Sequence, residues 1–142
     1  MKKGLLVLLS SLLLSTASFA SDNMAKGLNV VITSQDAQTQ MMGMVLSMMT
    51  LKQNKEVNMT LCSNAGDLAV KGMESPILKP QDKSPKMMLE GLIKQGAKVE
   101  VCPLYLPNAL KDESVLIEGV TVAKPAEVAT KILDKNYQNL SY

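Results

Sequence analysis

Sulfur supplies most of the reactive groups in this chain, in the form of Cys62, Cys102 and 11 methionines. A thiol reacts as its thiolate, and a thioether is a soft ligand for reduced copper. Histidine is absent, and all 15 basic residues are lysines, so arginine is absent too. Those absences remove Ser-His-Asp and Cys-His pairs, histidine ligation of zinc or haem, and the guanidinium fork that grips phosphate. The reading accordingly calls for no metal, flavin or nucleotide. Aromatic groups are sparse as well. Phe19 is the single phenylalanine, tryptophan is missing, and Tyr105, Tyr137 and Tyr142 complete the set. Platforms for stacking nucleic-acid bases are not available from such a composition.

The compartment decides what two cysteines can do. Lys2 and Lys3 precede an apolar run over residues 5–14, broken only by Ser10 and Ser11, and Ser18-Phe19-Ala20 places small residues at the two recognition positions. Residues 1–20 read as a secretory signal peptide, with residues 21–142 as a single domain. The apolar run is far short of the ~20 residues that span a bilayer, so no membrane attachment is expected after cleavage. The formal charge of +2 belongs to Lys2 and Lys3, and without them 13 lysines face 13 acids. No attraction to nucleic acid follows. A Lys-Lys leader with no cysteine at the cleavage point indicates the periplasm of a Gram-negative cell, an oxidising space in which a thiol pair is either a bridge or a working group.

The elements that must position these sulfurs alternate along the chain. Residues 28–33, 57–62 and 99–102 are short β-branched apolar runs and predict three strands. Residues 37–53, opened by Asp36 as N-cap, predict the first helix. Ser84-Pro85, then Met88, Leu89, Leu92 and Ile93 at helical spacing and Gly96 as the stop, predict a second. Residues 119–123 form a fourth strand, and Pro125 opens a last helix with Val128, Ala129, Ile132 and Leu133 on one stripe. Between these lie a polar loop over 63–83 with a short helix at 67–71, a Pro103–Pro107 stretch that resists a regular helix, a single turn at 112–117 and a frayed tail after Lys135. The alternation implies a three-layer α/β/α sandwich with a mostly parallel, flavodoxin-like sheet of four to five strands.

The first helix is apolar on nearly every side, through Met41, Met42, Met44, Val45, Leu46, Met48, Met49 and Leu51. One side can cover the sheet, and the other needs a cover that a small domain lacks. Gly43, Ser47 and Thr50 make a narrow stripe of small residues that would let another helix approach, so a subunit interface of a homo-oligomer is expected here. Copper binding by the same methionines is the alternative, and core filling explains their spacing more simply.

Cys62 and Cys102 each close a strand at the carboxyl edge of the sheet, where open α/β sheets place ligands. Pro103 ends the strand after Cys102, and the loop beyond offers backbone N–H groups to a thiolate or persulfide. Ser34, Asp36, Asn64 and Tyr105 would line the same edge, although each is equally a turn, cap or loop residue. With the flavodoxin-like strand order 2-1-3-4, the cysteine-bearing strands would flank the first strand, about twice ~4.8 Å apart. That is beyond the ~7 Å between α-carbons that a disulfide tolerates. Two free thiols are therefore expected, with Cys102 as the working one and Cys62 structural or a resolving partner.

The stretch Gln95-Gly96-Ala97-Lys98-Val99-Glu100-Val101-Cys102, followed by Leu116-Ile117-Glu118-Gly119-Val120-Thr121-Val122 and a final helix, resembles the DsrE/DsrF-like family, which includes TusD-type and YchN-like proteins. The resemblance implies an α/β sandwich with a mostly parallel five-stranded sheet, trimeric or hexameric assembly, and sulfur acceptance as a persulfide at the position matched by Cys102. The partner it implies is a small sulfur compound or a sulfur-carrier protein. Asn108-Ala109-Leu110 stands where sulfur-transfer members often carry Arg-Arg-Gly, Tyr105 stands where others have a second cysteine, and the leader separates this chain from the cytoplasmic relay that modifies transfer RNA. The rival function is a non-catalytic oligomeric binding or assembly module in which Cys102 is merely buried.

Overall fold

Helix boundaries fall where side chains can satisfy the first orphaned amides. In the computed structural model, which describes residues 24–142, the Asp36 carboxylate accepts from Thr39 N at 2.8 Å and opens α1, Ala37–Lys52. Ser84 Oγ accepts from Met87 N at 3.1 Å and opens α2, Pro85–Lys94. Gly96 then takes φ +93°, the left-handed region that glycine enters without strain, and turns the chain into β3, Lys98–Val101. The remaining strands are β1, Gly27–Ile32, β2, Glu56–Leu61, β4, Val120–Val122, and β5, Tyr137–Ser141. A one-turn helix α3, Tyr105–Asn108, follows β3, and α4, Pro125–Leu133, follows β4. The leader expected at residues 1–20 lies outside the described residues. Among the described residues no helix is long and apolar enough to cross a membrane.

All five strands are parallel, in the order β4-β3-β2-β1-β5. The three-layer sandwich is as expected, but the neighbours are not those of a 2-1-3-4 sheet. β2 lies between β1 and β3, so β2 and β3 are hydrogen-bonded partners. The reason is visible in α1. Its apolar flank needs α2 as well as the sheet for cover, and the two helices pack on each other on one face. Right-handed crossovers put consecutive helices on the same face only when the strands advance in one direction. The return from β4 across the sheet to β5 then sends α4 to the opposite face.

That first face is dry. Val30, Ile32, Val57, Met59, Leu61, Val99 and Val101 are each at most 2% exposed, beneath Met44, Leu89 and Leu92. Gly43 and Ser47 belong to this face too. A β-carbon on Gly43 would meet Ile32 Cδ1 at 2.8 Å, and Ser47, fully buried, donates to Gly43 O at 2.7 Å. These small residues therefore seat α1 on its own β1 instead of admitting another subunit's helix, because the close approach is needed by the sheet first. Met41, Met44 and Met48 are buried beside them, and Met42 and Met49 point outward, 50% and 42% exposed.

Three further expectations change. The tail is not frayed: β5 pairs with β1 from Gly27↔Tyr137 to Val31↔Ser141, since β1 would otherwise leave an unpaired edge. The short helix expected at 67–71 is a 3₁₀ segment earlier in the chain, Ser63–Ala69, and the loop beyond it is tied down by a Val70–Leu116 bridge and by Lys86, whose ammonium donates to the carbonyls of Val70 and Met73. Pro107 sits inside α3, where a missing N–H in the first turn costs nothing.

Candidate functional site

Leu61 and Val101 are register partners across β2 and β3, and both are fully buried against the helices of the first face. Side chains alternate along a strand, so the next residues, Cys62 and Cys102, project together to the other face. The ladder continues through them: Cys62 N donates to Ile32 O and Cys102 N to Leu61 O, each at 2.8 Å. Cys62 itself is extended, with φ −122° and ψ 163°. Both cysteines are free and half-buried, within reach of solvent at the carboxyl edge. They are free as expected, but not because they are far apart. The expected separation of two strand widths is overturned by the strand order, and the two thiols are side by side.

Their electrostatics are unequal. Burial pushes the Cys62 thiol up to about 12, and a side-chain hydrogen bond and charge from Cys102 act in the same direction. Cys62 thus keeps its proton at neutral pH. Two residues below Cys102 on the same face is Glu100, half-buried and joined to Lys131 Nζ of α4 at 2.7 Å. Lysine 111, the nearest downstream in sequence, instead lies against Ala109 O at 3.5 Å. The Glu100–Lys131 pair was missed by sequence reasoning, although the period-two spacing from Cys102 back to Glu100 marks the shared face.

The other residues expected at this edge are occupied elsewhere. Ser34 Oγ accepts from Asp36 N at 3.1 Å, and Asp36 caps α1. Asn64 donates to Gln35 Oε1 at 2.6 Å, and both line a cavity of about 140 Å³ together with Gln40, Asp67, Ser75 and Lys86. Neither cysteine lines that cavity. Tyr105 is buried, with its hydroxyl 2.6 Å from Asp67 Oδ1 and its ring over Gly66, where a β-carbon would come within 2.4 Å. Burial and then the Asp67 carboxylate raise its phenol above the usual range. Tyr105 is a positioning residue for the loop after Cys102: its N–H returns to Cys102 O at 2.9 Å. Leu104 and Leu110 in that loop are exposed, at 68% and 95%. Among the described residues no cluster of three histidine, cysteine, aspartate or glutamate side chains is placed to hold a metal ion.

No protein-family model matches the chain, and no curated protein does. Solved structures do match. The ychN protein from E. coli superposes with a TM-score of 0.69 at 20% identity, covering 84% of this chain and all of that one. A protein of unknown function from Methanobacterium thermoautotrophicum gives 0.62 at 13% identity over 82% of this chain and 98% of that one. Another, from Bacteroides thetaiotaomicron, gives 0.59 at 15% identity over 82% and 95%. At these identities the likeness establishes the fold.

Proposed function

We propose that this chain is an exported DsrE-like sulfur carrier in which Cys102 accepts sulfane sulfur as a persulfide. The observation that carries the reading is the position of Cys102. It is reachable from solvent at the carboxyl edge of a parallel sheet, beside a second thiol that retains its proton. In the accepting step the Cys102 thiolate attacks the outer sulfur of a donor such as thiosulfate. A new sulfur–sulfur bond forms on Cys102, the donor's own sulfur–sulfur bond breaks with its electron pair, and sulfite leaves. The reaction needs neither metal nor cofactor. The leader read from residues 1–20 supports export to the periplasm, with a small oxidised sulfur compound as donor and a sulfur-carrier protein or small thiol as acceptor. Self-association, as a trimer or hexamer, uses the outward flank of α1 at Met42 and Met49.

The test is intact mass after incubation with thiosulfate or polysulfide. Cys62→Ser should gain about 32 Da, the mass of one sulfur on a thiolate, and Cys102→Ser should gain nothing. Absence of any adduct on Cys62→Ser refutes the carrier reading and leaves the assembly module, whose cysteine reacts only in denaturant.

A further inference from the structure

Two thiols on adjacent parallel strands are an unusual arrangement for a carrier that needs only one. Neighbouring strands lie ~4.8 Å apart, inside the ~4.4–6.8 Å between α-carbons at which a disulfide closes without moving the backbone. Leu61↔Val101 is a register pair with both side chains buried on the first face, so Cys62 and Cys102, one residue on, share the second face. Their backbone amides remain in the sheet ladder, which fixes both Cα–Cβ directions. The extended conformation of Cys62 preserves the alternation up to the residue itself. Chain connectivity does not explain the proximity, since the cysteines are separated by the whole of α2 and the loop before it.

We propose that Cys62 is the resolving thiol of this site: the Cys62 sulfur attacks Sγ of persulfidated Cys102, hydrogen sulfide leaves, and a Cys62–Cys102 disulfide remains. The proposal rests on the carrier reading above and specifies what becomes of the carried sulfur. The step balances internally. The bond between Cys102 Sγ and the sulfane sulfur breaks with its electron pair going to the sulfane sulfur, which is reduced to sulfide. The two cysteine sulfurs are oxidised to the disulfide, and the Cys62 proton goes to the departing sulfide. Before the sulfur arrives, burial first and then the hydrogen bond and charge from Cys102 hold the proton on Cys62. The protein therefore accepts an oxidised sulfur atom and releases it reduced. Another turnover requires an external dithiol, which attacks the disulfide and becomes oxidised in its place.

Wild type, Cys62→Ser, Cys62→Ala and Cys102→Ser are incubated with thiosulfate or polysulfide, freed of reagent, and followed by intact mass, peptide mapping and released sulfide. The expected result is a persulfide that survives at least tenfold longer on both Cys62 variants than on wild type. Wild type should release sulfide and end about 2 Da lighter than its reduced form, with the bridge mapped to Cys62 and Cys102. Equal persulfide lifetimes on wild type and the Cys62 variants, or bridges only between molecules, overturn the resolving role and leave the carrier standing. No sulfur on Cys62→Ser overturns the carrier reading, and this one with it.

Discussion

The two faces of this sheet are built from alternate residues of the same strands, yet they have almost nothing else in common. The face under α1 and α2 is dry and apolar, with Ile32, Leu61 and Val101 fully buried. The face under α4 is polar. Asn58 donates to Asn29 Oδ1 at 3.0 Å, and Asn29 donates to Lys131 O at 2.5 Å and to Asn139 Oδ1 at 3.0 Å. Asn139 donates in turn to Ile132 O at 2.8 Å, so a chain of amides joins three strands to α4. The apolar packing is concentrated on the face under α1 and α2, and the two cysteines follow the strands on the polar face. A single step off the end of β2, from Leu61 to Cys62, crosses from one to the other.

Substitutions on each face should separate these roles. The largest effect belongs to the dry face: Leu61→Ala should cost about 2–5 kcal/mol through lost transfer energy and an unfilled cavity, read as a lower midpoint in urea. Retention of wild-type stability there would mean that the packing is not tight and would erase the contrast. Asn29→Ala should cost about 1–3 kcal/mol, because it strands the Asn58 amide and the Lys131 carbonyl without partners. Hydrogen exchange should then rise in α4 and β5 before it rises in α1. Exchange rising equally in both helices would show that the polar face is not an independent unit.

The smallest effect on folding should come from the cysteines, whose replacement by serine at half-buried positions should stay within about 1 kcal/mol. Their chemistry still leaves a signature in pH. The folded-state pKa of Cys62 is raised, from 9.0 to about 12, so its contribution to stability is intact below pH 9 and is lost as pH rises from there toward 12. Alkylation of native Cys62 at pH 8 should accordingly be tenfold or more slower than that of an exposed cysteine, and unfolding in urea should abolish the difference. Rapid native alkylation would remove the inequality on which the proposed roles of the two thiols depend.

Local signals were legible wherever a single residue type suffices. Asp36 and Ser84 cap their helices because a short side-chain oxygen two or three residues ahead of an orphan amide does so in any fold. Gly96 ends α2 because the left-handed turn excludes most other residues. The edge that carries both cysteines was legible too, since strand-ending residues such as Cys62 and Cys102 fall at the carboxyl side of any parallel sheet. The tail was misread because Tyr137–Ser141 is polar, and an edge strand needs a neighbour's backbone more than it needs apolar side chains. The stripe of Gly43 and Ser47 was legible as a site of close approach, but not what approaches.

The sequence by itself determined the alternation of strands and helices, the helix ends, the absence of histidine and arginine chemistry, and the placement of both sulfurs at strand termini. Those are properties of residue types and of spacing along one chain. Only the tertiary structure decided that β2 and β3 are neighbours, and hence that Cys62 and Cys102 meet. Strand order is set by which helices must share a face to bury their apolar flanks, and that is a contact between elements distant in sequence, which local periodicity does not encode.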